Sequence, residues 1–296
     1  MSDVDLTAEQ YEKYREAGDI LATVLKEAAD MIEVGATHLA VAEHAEARIE
    51  ELGGAPAFPV NISVDEEASH STPARDDETE FGEEMVCLDV GVHVDGWIAD
   101  AATTVDLSGN PDLVDAAEDA LAAAIDAVEP GVHTGQIGAA IEEAIDAYDV
   151  NPVVNLTGHG LAQWDAHTGP SVPNRGLDTG VELEVGDVIA IEPFATDGSG
   201  KVGEGSKTEI YSLVEEGRVR NRQARDVMET VAEEYRKLPF AARWLENERA
   251  EMALRRLTMN DVLRSYPVLK ERDGALVSQA EHTVIVTEDG AEVTTG

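Results

Sequence analysis

Apolar residues recur every three or four positions from Thr7 to about Ile32, and Thr7-Ala8-Glu9-Gln10 opens that run as a capping box. The pattern predicts a first helix there. Gly35 breaks the period, and a second helix is predicted through about Leu52, where Gly53-Gly54 stops it. After Pro56-Ala57-Phe58-Pro59-Val60-Asn61 the chain reads as loop through about Thr79. Two apolar runs, Glu84 to Val92 and Trp97 to Val105, then flank Asp95-Gly96, a strong short-range signal for a hairpin. The helical period restarts at Asn110 and runs to about Val128. Pro130-Gly131 interrupts it before a further helix from about Thr134 to Tyr148, and an extended Pro152-Val153-Val154-Asn155 follows. Between Asn221 and about Leu269 the sequence turns helical and Arg-rich, and strands are predicted again in Ala275 to Thr287 and Ala291 to Thr295.

The restart at Asn110 reads as an internal repeat. Gly35, a helix and then Pro59-Val60-Asn61 match Gly131, a helix and then Val153-Val154-Asn155, over spans of 26 and 24 residues. Gly82-Glu83-Glu84-Met85-Val86-Cys87-Leu88-Asp89 likewise resembles Gly186-Asp187-Val188-Ile189-Ala190-Ile191-Glu192, with one residue more in the first copy. Each copy is helix, helix, strand, loop and an apolar strand carrying a carboxylate. Two such halves predict one α+β domain over residues 1–296, with its site near the pseudo-symmetry axis. Residues 221–269 have no counterpart in the first half and are expected to form an inserted helical subdomain.

Composition narrows the class. With 43% hydrophobic residues in 296, the chain can build a core without staples. The one cysteine, Cys87, excludes an intrachain disulfide and fits a reducing compartment, so a cytoplasmic protein is expected. No apolar run is long enough for a membrane helix. Met1-Ser2-Asp3-Val4-Asp5 lacks the basic and apolar regions of a signal peptide. The 61 Asp plus Glu against 21 Lys plus Arg give a formal charge of −40, which repels nucleic acid and anionic membranes. The acids run from end to end of the chain, Arg outnumbers Lys, and only 4% of residues are aromatic. These features point to a surface adapted to high salt, where the Debye length falls to about 3 Å at 1 M and self-repulsion is screened.

Four acids stand apart because they sit inside apolar strand-like sequence: Asp89, Asp100, Glu192 and Glu281. Buried acids need a partner or a metal, and none of these four strands holds a Lys or Arg. A two-residue turn at Asp95-Gly96 pairs Val94 with Trp97, Asp89 with Ala102 and Gly91 with Asp100. Asp89 and Asp100 then project from one face as diagonal neighbours, about 7–8 Å apart at Cα, and can hold one cation between them. Among the eight histidines, His38, His44 and His133 read as surface residues and His93 as structural. His70, His159, His167 and His282 remain as candidate ligands or proton-transfer groups. His282 should face away from Glu281 on a strand.

Pro56-Ala57-Phe58-Pro59-Val60-Asn61, Asp89-Val90-Gly91-Val92-His93-Val94-Asp95-Gly96, Ile98-Ala99-Asp100, Asn155-Leu156-Thr157-Gly158-His159, Ile191-Glu192-Pro193-Phe194 and Glu281-His282-Thr283 together resemble the type 2 methionine aminopeptidases, most closely the archaeal ones. The resemblance covers nearly the whole chain, including the insertion. It implies the pita-bread α+β fold. It further implies Asp89, Asp100, His159, Glu192 and Glu281 as ligands of two divalent ions, with cobalt, manganese, iron and zinc all tolerated by such a set. Asp100 and Glu281 would bridge the ions, Asp89 would serve one, and His159 and Glu192 the other.

The implied reaction is hydrolysis of the first peptide bond of an N-terminal Met peptide or nascent chain by metal-activated water. Glu192 would shuttle the proton, His167 would donate to the developing oxyanion, His70 would contact the substrate backbone, and Phe58 would shape the methionine pocket. A monomer, with contacts at the ribosome, is a further expectation. Ala280 and Gly160 depart from the family pattern beside ligands and are expected to bear on pocket shape. An Xaa-Pro peptidase of the same fold resembles this chain in its five ligands, but the insertion and the Asn155-Leu156-Thr157-Gly158-His159 segment favour methionine specificity. A non-catalytic binding module of the fold predicts lost ligands and a basic face, and neither is present.

Overall fold

The computed structural model describes residues 6–246 and 250–296; the N-terminal stretch 1–5 and part of the expected insertion, 247–249, lie outside the described residues. Thr7 caps α1 (Ala8–Ala29): Gln10 N donates to its hydroxyl, and Thr7 N donates to the Gln10 side chain at 2.7 Å. Thr37 caps α2 (His38–Glu51) through one bond, its hydroxyl accepting from Ala40 N at 3.3 Å. The second helical pair is α3 (Pro111–Asp126) and α4 (Thr134–Asp146).

The duplication is visible bond by bond. Gly35 and Gly131 both take positive φ, +91° and +89°, two residues before the N-caps of α2 and α4. Gly35 N donates to Phe81 O at 2.9 Å as Gly131 N donates to Leu183 O at 2.8 Å. Phe81 N then reaches Ala36 O as Leu183 N reaches Val132 O, both at 2.9 Å.

In the first half the strand Met85–Val94 pairs along its length with Trp97–Asp106, and also with Asn61–Val64 and Ala55–Pro56. In the second half five antiparallel strands run in the order Gly290–Val293, His282–Thr287, Val188–Ile191, Thr157–Ala162, Asp165–Pro173. Ala102 and Glu281 exchange backbone hydrogen bonds of 3.0 and 3.4 Å and join the two sheets. α1 and α2 bury Leu21, Val24, Val41 and Ile49 against Leu88 and Val90; α3 and α4 bury Leu121, Ile137 and Ile141 against Ile189 and Val284. At about 1.5–3 kcal/mol per buried aliphatic side chain, these two layers set the helices against the outside of the sheets and leave the inner face for the site.

Between Asn221 and Leu269, α5 (Arg222–Glu234) and α6 (Ala250–Thr258) share a core of Val227, Val231, Phe240, Leu254 and Leu257. The strand pattern resumes at Leu263, earlier than the expected Ala275: Leu263–Lys270 pairs with Gly203–Leu213 and with Glu67–Ser69. The expected loop after Asn61 therefore contains two strands, Asn61–Val64 and Glu67–Ser69. No described helix is long and apolar enough to cross a membrane.

Candidate metal centre and substrate cavity

Asp95 and Gly96 have φ of +52° and +87°, the pair of positive values that a type I′ turn requires. The hairpin therefore takes the predicted register, with Asp89 opposite Ala102 and Gly91 opposite Asp100. Asp89 and Asp100 share a face, close enough for each carboxyl to shift the other's titration. The second half supplies the rest. His159 sits on Thr157–Ala162 opposite Ala190, Glu192 follows Val188–Ile191 directly, and Glu281 precedes His282–Thr287. His159 Nε2 is 3.8 Å from Asp100 Oδ2 and 3.6 Å from Glu192 Oε1. Donor atoms of Asp100, His159 and Glu281 all fall within 4.8 Å of one another.

Burial pushes the Asp89 carboxyl up to about 7. Burial, followed by the negative charge of the neighbouring acids, holds Asp100, Glu192 and Glu281 well above the ordinary carboxylate range. Asp89 Oδ1 and Asp100 Oδ1 are buried with no hydrogen-bond partner. Burial and the nearby His167 push His159 down to about 3, so its ring is a neutral donor. Its Nδ1 lies 3.3 Å from Gly160 O, and a proton placed there leaves the Nε2 lone pair facing the acids. Four mutually repelling carboxylates and one neutral imidazole fit divalent cations of hard or borderline character.

Neighbouring groups hold these residues in place. Thr283 Oγ1 donates to Asp100 O and accepts from Asp100 N, each at 2.8 Å. Gln279 Nε2 donates to Glu281 Oε2 at 3.2 Å, and Asn174 Nδ2 bridges Leu156 O and Glu192 O. His282 faces the other way, as expected, with Nδ1 at 2.8 Å from Thr295 Oγ1.

A cavity of about 230 Å³ brings together the eight residues to which the resemblance gave a role: the four acids and His159, plus Phe58, His70 and His167. His167 lies on Asp165–Pro173 with its ring 4.4 Å from that of His159. His70 takes φ +63°, sets Nδ1 3.3 Å from Pro267 O and meets Tyr266 edge-on at 5.3 Å. Burial pushes His70 down to about 4. Sequence reasoning missed Tyr266, Ile210 and Leu269 of the sheet that joins the insertion, and Pro239 just before its strand Phe240–Ala241, which complete the wall. The two expected departures resolve differently. Ala280 lies on the opposite face from Glu281, packed with α3, and so does not shape the cavity. At Gly160 a Cβ would fall 2.1 Å from Gly169 O, so glycine is what lets the two strands of that hairpin close.

Residues 12–288 match metallopeptidase family M24. A methionine aminopeptidase of Archaeoglobus fulgidus is 52% identical over 285 residues, covering 96% of this chain and 98% of that protein. The chain belongs to the methionine aminopeptidases of family M24. Solved structures show the same fold. A thermophilic Arx1 superposes with a TM-score of 0.85 at 22% identity, over 98% of this chain and 91% of that one. The methionine aminopeptidase of Thermotoga maritima gives a TM-score of 0.72 at 24% identity, over 99% and 98%. The architecture is thus the pita-bread α+β fold that the sequence resemblance implied.

Proposed function

We infer that this chain removes the N-terminal methionine from peptides and nascent proteins by metal-dependent hydrolysis of the first peptide bond. The observation that carries the reading is the convergence of Asp89, Asp100, His159, Glu192 and Glu281 on one cavity that also holds Phe58, His70 and His167. Asp89, Asp100, His159, Glu192 and Glu281 would hold two divalent ions. When bound, such ions supply Lewis-acid polarisation of the scissile carbonyl and a water ionised near neutral pH.

The remaining work falls to side chains. Glu192, less enclosed than Asp100 or Glu281, would accept a proton and return it to the leaving amine. His167, its ring tilted against that of His159 at 4.4 Å, would donate to the oxyanion. His70 holds its Nδ1 proton on Pro267 O and offers Nε2 to the substrate backbone. Phe58 supplies an apolar wall for the methionine side chain. Residues 1–296 would act as a single catalytic domain, with 221–269 inserted, as a monomer in the cytoplasm that meets nascent chains at the ribosome.

Metal-loaded protein in molar KCl, offered Met-Ala-Ser and an Xaa-Pro peptide, should release methionine from the first and leave the second intact. Cleavage of the Xaa-Pro peptide alone would remove the methionine reading.

A further inference from the structure

A buried ion pair outside the cavity holds two of its walls. Glu46 of α2 pairs with Arg243 of the short 3-10 turn Ala242–Trp244, with side-chain exposures of 13% and 4%. The second Glu46 oxygen accepts from Trp244 Nε1 at 2.9 Å. Arg243 Nη1 donates to Thr72 Oγ1 at 2.7 Å and to Pro73 O at 3.1 Å. Thr72 Oγ1 donates to Val60 O at 2.7 Å, and Val60 N donates back to Glu46 Oε1 at 3.4 Å. These contacts form a closed ring of Glu46, Arg243, Thr72 and Val60. Arg75 braces it from outside, donating to the carbonyls of Arg243 and Leu245.

The ring meets the cavity at two places. Val60 stands two residues beyond Phe58, and Thr72 two residues beyond His70. None of the four ring members lines the cavity or touches the acid cluster. Burial pushes the Glu46 carboxyl up against the pull of Arg243 and pushes the guanidinium down. A pair that costs this much desolvation is a weak source of stability, whereas a planar guanidinium fork fixes distances that apolar contacts leave free.

We propose that the Glu46–Arg243 pair is a positioning device that sets the separation of Phe58 from His70 and ties both to the insertion. The proposal rests on the reading above that Phe58 and His70 hold the substrate.

The discriminating variant is Arg243→Lys, which keeps a charge opposite Glu46 but cannot reach Thr72 and Pro73 from the same head group. In full-length, metal-loaded enzyme on Met-Ala-Ser, KM should rise about tenfold with kcat within about twofold, the scale of a small misplacement of binding groups. Metal stoichiometry and affinity by calorimetry should stay at wild-type values. Glu46→Gln should act in the same direction, and the double variant should be no worse than the poorer single one, because one unit is broken once. Amide exchange across residues 57–73 reads the device without turnover and should quicken in both variants. Wild-type KM and wild-type exchange in Arg243→Lys would overturn the proposal, as would a KM change matched by loss of metal affinity. A wild type that releases no methionine counts against the proposed reaction alone, and the exchange comparison then decides the positioning role.

Discussion

Gly91 faces Phe58 so closely that a Cβ on residue 91 would lie 2.2 Å from the ring's Cε1 and 2.5 Å from its Cδ1. The same glycine is the register partner of Asp100 and stands two residues from Asp89. One missing methyl group therefore lets the Phe58 ring and the acid cluster approach each other. Gly91→Ala should displace the Phe58 ring, raise KM for Met-Ala-Ser and cost about 1–3 kcal/mol through overpacking. Adding Phe58→Ala should return part of the thermal midpoint without restoring KM. Steady-state kinetics and thermal denaturation of both variants test this, and an unchanged KM in Gly91→Ala would place Phe58 outside the binding wall.

How much of this was legible beforehand depends on where each constraint lies. Asp95-Gly96 is local turn chemistry, so the hairpin carrying Asp89 and Asp100 could be drawn to the residue. The hairpin carrying His159 and His167 could not. Its turn is Gln163-Trp164, and Trp164 takes φ +62°, which no local signal announces. Distant residues hold that turn: His93 meets the Trp164 ring at 4.8 Å, Arg236 lies over it at 4.2 Å, and Gly96 makes room, since a Cβ there would fall 2.3 Å from the indole. Tyr266 was hidden for a similar reason. Its polar strand Leu263–Lys270 is defined by a partner some fifty residues upstream, Gly203–Leu213, rather than by its own alternation. His38 read as a surface residue, yet its ring stacks on Phe81 at 4.3 Å, a contact made across the repeat unit. The five acid and imidazole positions come from both halves of the sheet, and a family resemblance was needed to gather more than Asp89 and Asp100.

Removal of metal should destabilise the protein in a pH-dependent way. Without a cation Asp89 has a folded pKa of about 7 against an ordinary 3.8. The protonated folded form contributes stability that is fully present below about pH 4 and lost as pH rises through 7. Asp100, Glu192 and Glu281 shift in the same direction. Chelator should therefore lower the thermal midpoint more at pH 8 than at pH 5. Metal binding should also release protons, detectable as a buffer-dependent enthalpy, with affinity rising up to about pH 7. An equal chelator effect at both pH values would contradict this origin of the shifts.

His167→Ala separates chemistry from metal binding. The His167 ring is 4.4 Å from that of His159, but its own strand, Asp165–Pro173, supplies none of the clustered acids. A group that donates only to the developing oxyanion should cost roughly a hundredfold in kcat when removed, with smaller change in KM. Metal stoichiometry should remain at wild-type level. Unchanged turnover with intact metal occupancy would take His167 out of catalysis.

The charge of −40 makes a separate prediction about salt. The acids within the cavity are buried or nearly so and respond little to ionic strength, whereas most of the remaining acids meet water and repel one another. Several surface stretches have no cationic relief: α3 and α4 carry no Lys or Arg, yet hold Asp112, Asp115, Glu118, Asp119, Asp126, Glu142, Glu143 and Asp146. Raising KCl from about 0.1 M to about 2 M shortens the Debye length well below the spacing of such groups. Stability should then climb, each kcal/mol appearing as roughly 2 °C or more in the thermal midpoint for a chain of this size. Preferential exclusion of solutes also stabilises folded proteins, so sucrose at matched osmolality is the control. A screening origin requires KCl to exceed sucrose at matched osmolality. A midpoint that stays flat or falls with KCl would remove the high-salt reading of the surface and leave the reaction chemistry of the buried cluster unaffected.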